Sequence, residues 1–261
     1  MVTKTQYNSI TQFPVFEKKC HISLHSTLYP LYIIFQIKQK HLCNYNFVGT
    51  AMTLPIIIPF RPNNPKRRLE SVMTQKEREE LARAMLIDVT TAVIEVGCSP
   101  ILLTTKEVAP IDPRITIEII DLGLNEALNA FCEKRTGALG IVMADLALCD
   151  VHCLMQLINT SADFGIVPGK GGGTNAIYVK NAAEFNAQYY GLSYVKHTTW
   201  AEQKGYSIEV IDSFRLSTDI DEPGDLVEIL IHTNGHAAAY LREIGLTLHS
   251  EEGRVGVKRN I

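Results

Sequence analysis

Asp145 follows a short apolar run, Gly140 to Ala144 (GIVMA), where a strand crossing a covered sheet would hand a carboxylate to the loop beyond it. A second acidic source comes late in the chain, in Asp219-Ile220-Asp221-Glu222-Pro223. Alternate residues of an extended segment point the same way, so Asp219 and Asp221 can face one site together. Two carboxylate sources completed by substrate phosphates are a usual way to hold magnesium, which keeps several waters and seldom fills a cage of protein ligands. Opposite charge is concentrated in Arg61, Lys66, Arg67 and Arg68, cations suited to a triphosphate. A lone Asp at a strand end can also cap the next turn, and a basic run can be a solvated loop; the expected position of both at one edge of a sheet favours a site.

Pro168-Gly169-Lys170-Gly171-Gly172-Gly173-Thr174-Asn175 has the glycines that let a backbone approach an anion and offer it N–H groups. It is not a Walker loop, because Lys170 comes early and a strand rather than a helix follows. A flexible connection is the alternative. Tyr190-Gly191-Leu192-Ser193 and His197 come next, with Ser193 expected as the N-cap of a helix whose N-terminus would receive the phosphate or carboxylate of an acid; plain capping and a structural His197 are the alternatives. Cys149-Asp150-Val151-His152-Cys153 offers at most three soft ligands on one helical turn, and Cys20, His21, His25, His41 and Cys43 fit no compact ligand spacing, so neither is read as a zinc site.

The elements that must position these residues alternate between apolar runs and amphipathic runs, the pattern of strands buried under helices. Leu54 to Pro59 reads as the first strand and is followed by a Pro-broken polar loop. Thr74 and Glu77 have capping-box spacing, and Leu81, Met85, Val89 and Val93 carry a helical stripe to Gly97. Further strands are predicted at Ile101–Thr105, Ile115–Ile120, Leu139–Ala144, Phe164–Val167, Ala176–Val179 and Ser207–Ile211, and helices at Asn125–Lys134, Val151–Ile158, Tyr194–Lys204 and Gly224–Thr233. This order predicts a mostly parallel sheet with ligands beyond the carboxyl ends of its strands.

Bulk properties narrow the partners. A chain of 261 residues, 46% hydrophobic and 20% charged, can bury a full core. Its net charge of -3 and pI near 6.2 argue against a dedicated nucleic-acid binder. No run approaches a membrane span, and the six scattered cysteines suit reduced thiols in the cytoplasm. Residues 1–51 contain no Arg or Asp, yet hold eight of the twenty aromatic residues. Composition therefore predicts that residues 1–51 are an extension outside the fold, that the domain occupies residues 52–261, and that Met52 is the native start.

Six blocks in order carry a resemblance over residues 54–258: IIIPFRPNNPKRRL from Ile56, EREELARAML from Glu77, DLGLNEAL from Asp121, ADLAL from Ala144, PGKGGGTNA from Pro168 and DIDEPGDL from Asp219. They resemble the 2-phospho-L-lactate guanylyltransferase family of coenzyme F(420) biosynthesis. The resemblance implies a three-layer, Rossmann-like α/β domain of the glycosyltransferase-A type. It implies transfer of GMP from GTP to 2-phospho-L-lactate, giving lactyl-2-diphospho-5'-guanosine and pyrophosphate, with Mg2+ as cofactor and a homodimer as the assembly. Carried over residue by residue, Asp145, Asp219 and Asp221 match metal positions, and Asp145, Lys66 and Arg68 match the reacting centre. Arg61, Lys66, Arg68 and Asn125 are expected at the nucleotide, and Thr174, Gly191 and Ser193 at the phosphorylated acid. Arg67, Ala147 and Gly224 depart from the family's usual residues without removing a needed charge. The stretch from Leu248 to Lys258 resembles the archaeal branch, which points to the lactate acid over phosphoenolpyruvate. The rivals are a same-fold transferase acting on phosphoenolpyruvate, phosphoglycerate or a sugar phosphate, and a non-catalytic nucleotide-binding regulator.

Overall fold

The computed structural model describes residues 53–260 apart from Glu252; the expectations for residues 1–51, including their cysteines and histidines, lie outside the described residues. The described residues open with β1 (Pro55–Phe60), whose PIIIPF sequence is buried on both faces. Successive side chains of a strand point to opposite sides. Ile57 accordingly joins one core layer with Leu128, Phe131 and Trp200, while Ile56 and Ile58 join the other with Leu86, Val89 and Val93. Full burial of each such side chain is worth roughly 1.5–3 kcal/mol, so β1 anchors both layers.

Helix α1 (Gln75–Glu95) starts at Thr74, and the predicted capping box is present: the Glu77 N–H donates to Thr74 Oγ1 and the Thr74 N–H to Glu77 Oε2. β2 (Ser99–Thr104), β3 (Thr116–Ile119), α2 (Leu124–Cys132), β4 (Leu139–Val142), α3 (Val151–Ile158) and β5 (Phe164–Pro168) follow. β6 (Thr174–Val179), α4 (Ser193–Gln203), β7 (Ile208–Val210), α5 (Phe214–Ser217), α6 (Leu226–His232) and α7 (His236–Glu243) complete the helical part. A hairpin of β8 (Leu246–Glu251) and β9 (Arg254–Arg259) ends the described chain. The short α5, α7 and this hairpin are absent from the sequence reading.

The main sheet has seven strands in the order β3-β2-β1-β4-β6-β5-β7. Four of its pairings are parallel, and β6 alone runs against its neighbours β4 and β5. The reason lies in the loop. Five residues, Gly169 to Gly173, separate β5 from β6, too few for the crossover that a parallel strand requires. The turn closes with Gly169 N–H donating to the Gly173 carbonyl at 2.9 Å, and Gly171 and Gly172 take φ of 64° and 84°, which a side chain would resist.

Helices α2 and α4 cover one face and α1 and α3 the other. A second stripe of α1, with Leu81 and Met85, packs on α6 and α7 through Ile229, Ala237 and Leu241. Asp88 of α1 fastens α7 by accepting the N–H groups of His236 and Ala237 at 2.6 and 2.9 Å. No helix among the described residues is long and apolar enough to cross a membrane.

Candidate active site

The carboxyl ends of β1, β2 and β4 open onto a cavity of about 500 Å³. Its lining divides by character. Arg61, Lys66, Arg67, Arg68, Asp145 and Asp221 make a charged part; Leu103, Ile120, Leu122, Leu124, Met143 and Tyr190 make an apolar one. This is the edge at which open α/β sheets receive ligands.

The loop after β1 is braced from below. Arg78, on α1 and almost fully buried, donates to the Pro65 and Met73 carbonyls and to the Asn64 side chain. So held, Lys66 has a left-handed backbone, φ 53° and ψ 45°, at the head of a 3-10 turn over Arg67–Leu69. Its Nζ reaches Asp145 Oδ2 at 2.5 Å and Asp221 Oδ1 at 2.7 Å. The two acids are tied through the backbone as well, since the N–H of buried Ile220 donates to the Asp145 carbonyl at 3.3 Å. Burial alone would lower the Lys66 pKa, but the charges and hydrogen bonds of Asp145 and Asp221 outweigh it and hold the ammonium above its ordinary value.

The other carboxylate oxygen of Asp145, Oδ1, is buried and has no hydrogen-bond donor. Asp219 lies behind the pair, where burial first and then the charge of Asp145 raise its pKa; Asn175 Nδ2 donates to it at 3.3 Å. Among the described residues no three His, Cys, Asp or Glu side chains converge as a metal cluster, so the expected three-acid set does not gather at one point. Asp145 and Asp221 do converge, on the Lys66 ammonium. Arg68 sits outside them, 3.5 Å from Asp221 and largely exposed. Arg61 is exposed at the cavity.

The residues expected at the acid are arranged differently. Ser193 is not the N-cap of α4: Leu192 holds that position without a side-chain bond, and Ser193 is the first helical residue. Its hydroxyl turns inward and donates to Thr174 Oγ1 at 3.2 Å, and both residues are buried. Thr174 also bonds His197 Nδ1 at 3.0 Å. Because His197 Nε2 accepts the Gln188 N–H at 2.9 Å, the neutral ring must carry its proton on Nδ1 and give it to Thr174. Burial, and then the nearby Lys196 charge, lower the His197 pKa to about 4.

Thr174 and Asn175, left by the sequence in the glycine-rich stretch ahead of a strand from Ala176, instead begin β6 and are buried. The glycine loop is a hairpin turn that does not line the cavity, and Lys170 pairs with Asp225 at 2.6 Å. Asn125 also stays off the cavity lining. Its amide is used twice on Tyr189, accepting the N–H at 2.7 Å and donating to the carbonyl at 3.2 Å. Cys98, Cys132, Cys149 and Cys153 are free thiols, and Asp150 caps α3 by accepting the Cys153 N–H at 2.9 Å.

Two residues that shape the site have no role of their own in the sequence reading. Arg78 is one, an arginine among the charged residues of an ordinary helix. Tyr190 is the other: the residue is 65% exposed and lines the cavity, while its backbone takes φ 77°, rare for an aromatic residue. Asn125 on Tyr189 and Lys196 Nζ on the Tyr190 carbonyl at 2.9 Å clamp it there. Strained backbone of this kind gathers at functional sites, and a Tyr-Gly pair just before a helix was its only trace in the sequence.

A family model described as guanylyl transferase CofC like matches residues 54–260. Named 2-phospho-L-lactate guanylyltransferases are similar to this chain. One from Methanospirillum hungatei is 46% identical, the match spanning 80% of this chain and 96% of that protein. One from Methanocorpusculum labreanum is 48% identical over 78% of this chain and 95% of its own length. One from the haloarchaeon Haloterrigena turkmenica is 41% identical over 79% and 97%. Among solved structures, one from Desulfovibrio desulfuricans provisionally described as a nucleotide-diphospho-sugar transferase superposes with TM-score 0.60 at 16% identity, covering 72% of this chain and 94% of that one. A nucleotidyl transferase from Methanothermobacter thermautotroptrophicus gives 0.51 at 10% identity, over 75% and 100%. These last two bear on the fold alone, which is that of nucleotidyl transferases. With the family model covering the whole described domain, the chain belongs to the guanylyl transferase CofC-like family.

Proposed function

We propose that this protein transfers the guanylyl group of GTP to the phosphate of 2-phospho-L-lactate. The observation that carries the reading is the convergence of Lys66, Asp145 and Asp221 at the sheet's carboxyl edge, in a chain nearly half identical to transferases of that name. An oxygen of the acceptor phosphate attacks the α-phosphorus of GTP, a new P–O bond forms, and the bond to the β-phosphate oxygen breaks to release pyrophosphate. A phosphate monoester has a second pKa near 6, so the attacking oxygen is already anionic and needs no general base. The protein's task is then to align the groups and offset charge.

Lys66, Arg68 and Arg61 face the phosphates in this reading, and the apolar part of the cavity receives the uncharged base. Asp145 and Asp221 would hold a magnesium ion, which supplies positive charge to the triphosphate. The donor set suits it: two carboxylates at one place, one with a buried oxygen that has no donor, leave the remaining positions to phosphate and water. The acid enters beside the Gly191 turn. Ser193 N–H bonds the Gly191 carbonyl, so the covered Thr174 and Ser193 hydroxyls support that wall from behind. A cytoplasmic homodimer completes the reading, and sedimentation at working concentration tests the dimer.

Pyrophosphate release with each nucleoside triphosphate against each acid tests the reaction. GTP with 2-phospho-L-lactate should be fastest. Phosphoenolpyruvate shares the phosphate and carboxylate and differs in shape at the central carbon, a distinction worth about 1–3 kcal/mol, so it should be used more weakly. A higher specificity constant for phosphoenolpyruvate, or for another nucleotide, would overturn the corresponding half of the assignment.

A further inference from the structure

We propose that Lys66 is a placeholder for the divalent cation: in the free protein its ammonium takes the seat between Asp145 and Asp221, and the cation enters only with a nucleotide whose phosphates draw Lys66 away. This rests on the metal-dependent reading above and adds an order of binding to it.

The geometry leaves one seat. The ammonium touches Asp145 Oδ2 at 2.5 Å and Asp221 Oδ1 at 2.7 Å, oxygens from residues far apart in the sequence that meet at this nitrogen. A magnesium ion held by Asp145 and Asp221 would compete with the ammonium for these same oxygens and so for this position. Two cations cannot share that point. Nor can the seat stand empty, because the Lys66 side chain is only 11% exposed, and withdrawing it leaves Asp145 without a partner beside Asp221, which keeps only the exposed Arg68 at 3.5 Å, a costly arrangement for the more buried acid. The unpartnered Asp145 Oδ1 and nearby Asp219 show that even with Lys66 in place the corner holds more acid than the lysine neutralises.

What can move is the side chain and little else. The backbone of Lys66 is fixed by the 3-10 turn, with Leu69 N–H donating to its carbonyl at 2.9 Å, and by the Arg78 brace beneath Pro65 and Asn64. A four-carbon stem pivoting on that base can carry a point charge from carboxylate to phosphate. Arg61, exposed at the same cavity, can meet the triphosphate first, and the exposed Arg68, 3.5 Å from Asp221 and 3.8 Å from Glu222, can turn to it next. By linkage, whatever the nucleotide does for cation affinity the cation does for nucleotide affinity.

The test uses manganese as the probe, a divalent ion that accepts the same oxygen ligands, titrated into the full-length protein without nucleotide and followed by the electron paramagnetic resonance of free Mn2+. Wild type should bind weakly. Lys66→Met, which keeps the stem and removes the charge, and Lys66→Gln should each bind at least 10-fold more tightly while losing turnover, and adding Asp145→Asn to either should abolish the gain. Variants no tighter than wild type, or wild type alone binding as tightly as they do, would overturn the proposal. If both variants fail to fold, wild type that binds manganese as tightly without nucleotide as with it would still overturn the proposal. Should tighter binding appear in a protein that releases no pyrophosphate from any triphosphate, the placeholder stands and the reaction assignment falls; turnover of GTP without the gain has the opposite meaning.

Discussion

Two polar clusters that look alike in sequence end up in opposite states. Lys66, Asp145 and Asp221 meet at an open cavity with a carboxylate oxygen left over. Thr174, Ser193 and His197 meet in the interior, each bonded to another, with the histidine's second nitrogen used by a backbone amide. Hydrogen bonds made within the protein stabilise the closed cluster and leave little for a ligand; the open one is out of balance, and that imbalance is what a charged ligand can relieve. Variation in the open cluster should therefore cost turnover, and variation in the closed one should cost stability.

The largest effect expected is from Asp145→Ala, which should lower kcat by roughly 10²-fold or more with the melting temperature within a few degrees of wild type. Near-normal turnover in saturating magnesium would take Asp145 out of the site and erase the contrast.

Acid should expose the closed cluster next. The His197 pKa is depressed in the folded state, to about 4 from 6.5. Above pH 6.5 both states hold the ring neutral and its contribution is complete; as pH falls towards 4 the unfolded chain takes up a proton that the folded one refuses. Stability should drop by up to about 1.4 kcal/mol per pH unit across that window, and denaturant melts of wild type against His197→Phe should show the variant without this component.

At neutral pH, His197→Phe strands the Gln188 N–H and removes a donor from Thr174, costing on the order of 1–3 kcal/mol. A change confined to the KM of the acid, with stability intact, would instead make this cluster a binding site. The smallest effect belongs to a device remote from both clusters. Thr74→Ala removes the cap of α1 and should cost about 1 kcal/mol, read as a melting shift of a few degrees with unchanged kinetics.

The open cluster was legible because its signals are covalent neighbours: an acid directly after an apolar strand, a basic loop directly after another, and acids at alternate positions. The closed cluster was misread because its residues carry the same letters as loop and cap residues. Ser193 precedes an amphipathic run, yet the helix begins at Ser193 itself, one position early. Thr174 follows four glycines, yet β6 begins at it. Asn125 and Arg78 spend their polar groups on backbone atoms far along the chain or around a turn, and no local period records such partners. The direction of β6 could be argued from the five-residue loop, but its place between β4 and β5 could not, because it depends on which edge remains open.

That insertion has a consequence for a chain made from its N-terminus. β1, β2, β3 and β4 can pair as soon as residue 142 is available, and α3 and β5 follow by residue 168. Yet β4 and β5 never pair with each other; both wait for β6, which arrives only with residues 174–179. Until then the strand that delivers Asp145 has a bare hydrogen-bonding edge, the kind of surface that recruits other chains. Synthesis therefore has a vulnerable interval of about forty residues, closed by a hairpin rather than a crossover, and the short glycine turn sets how briefly that edge stays open.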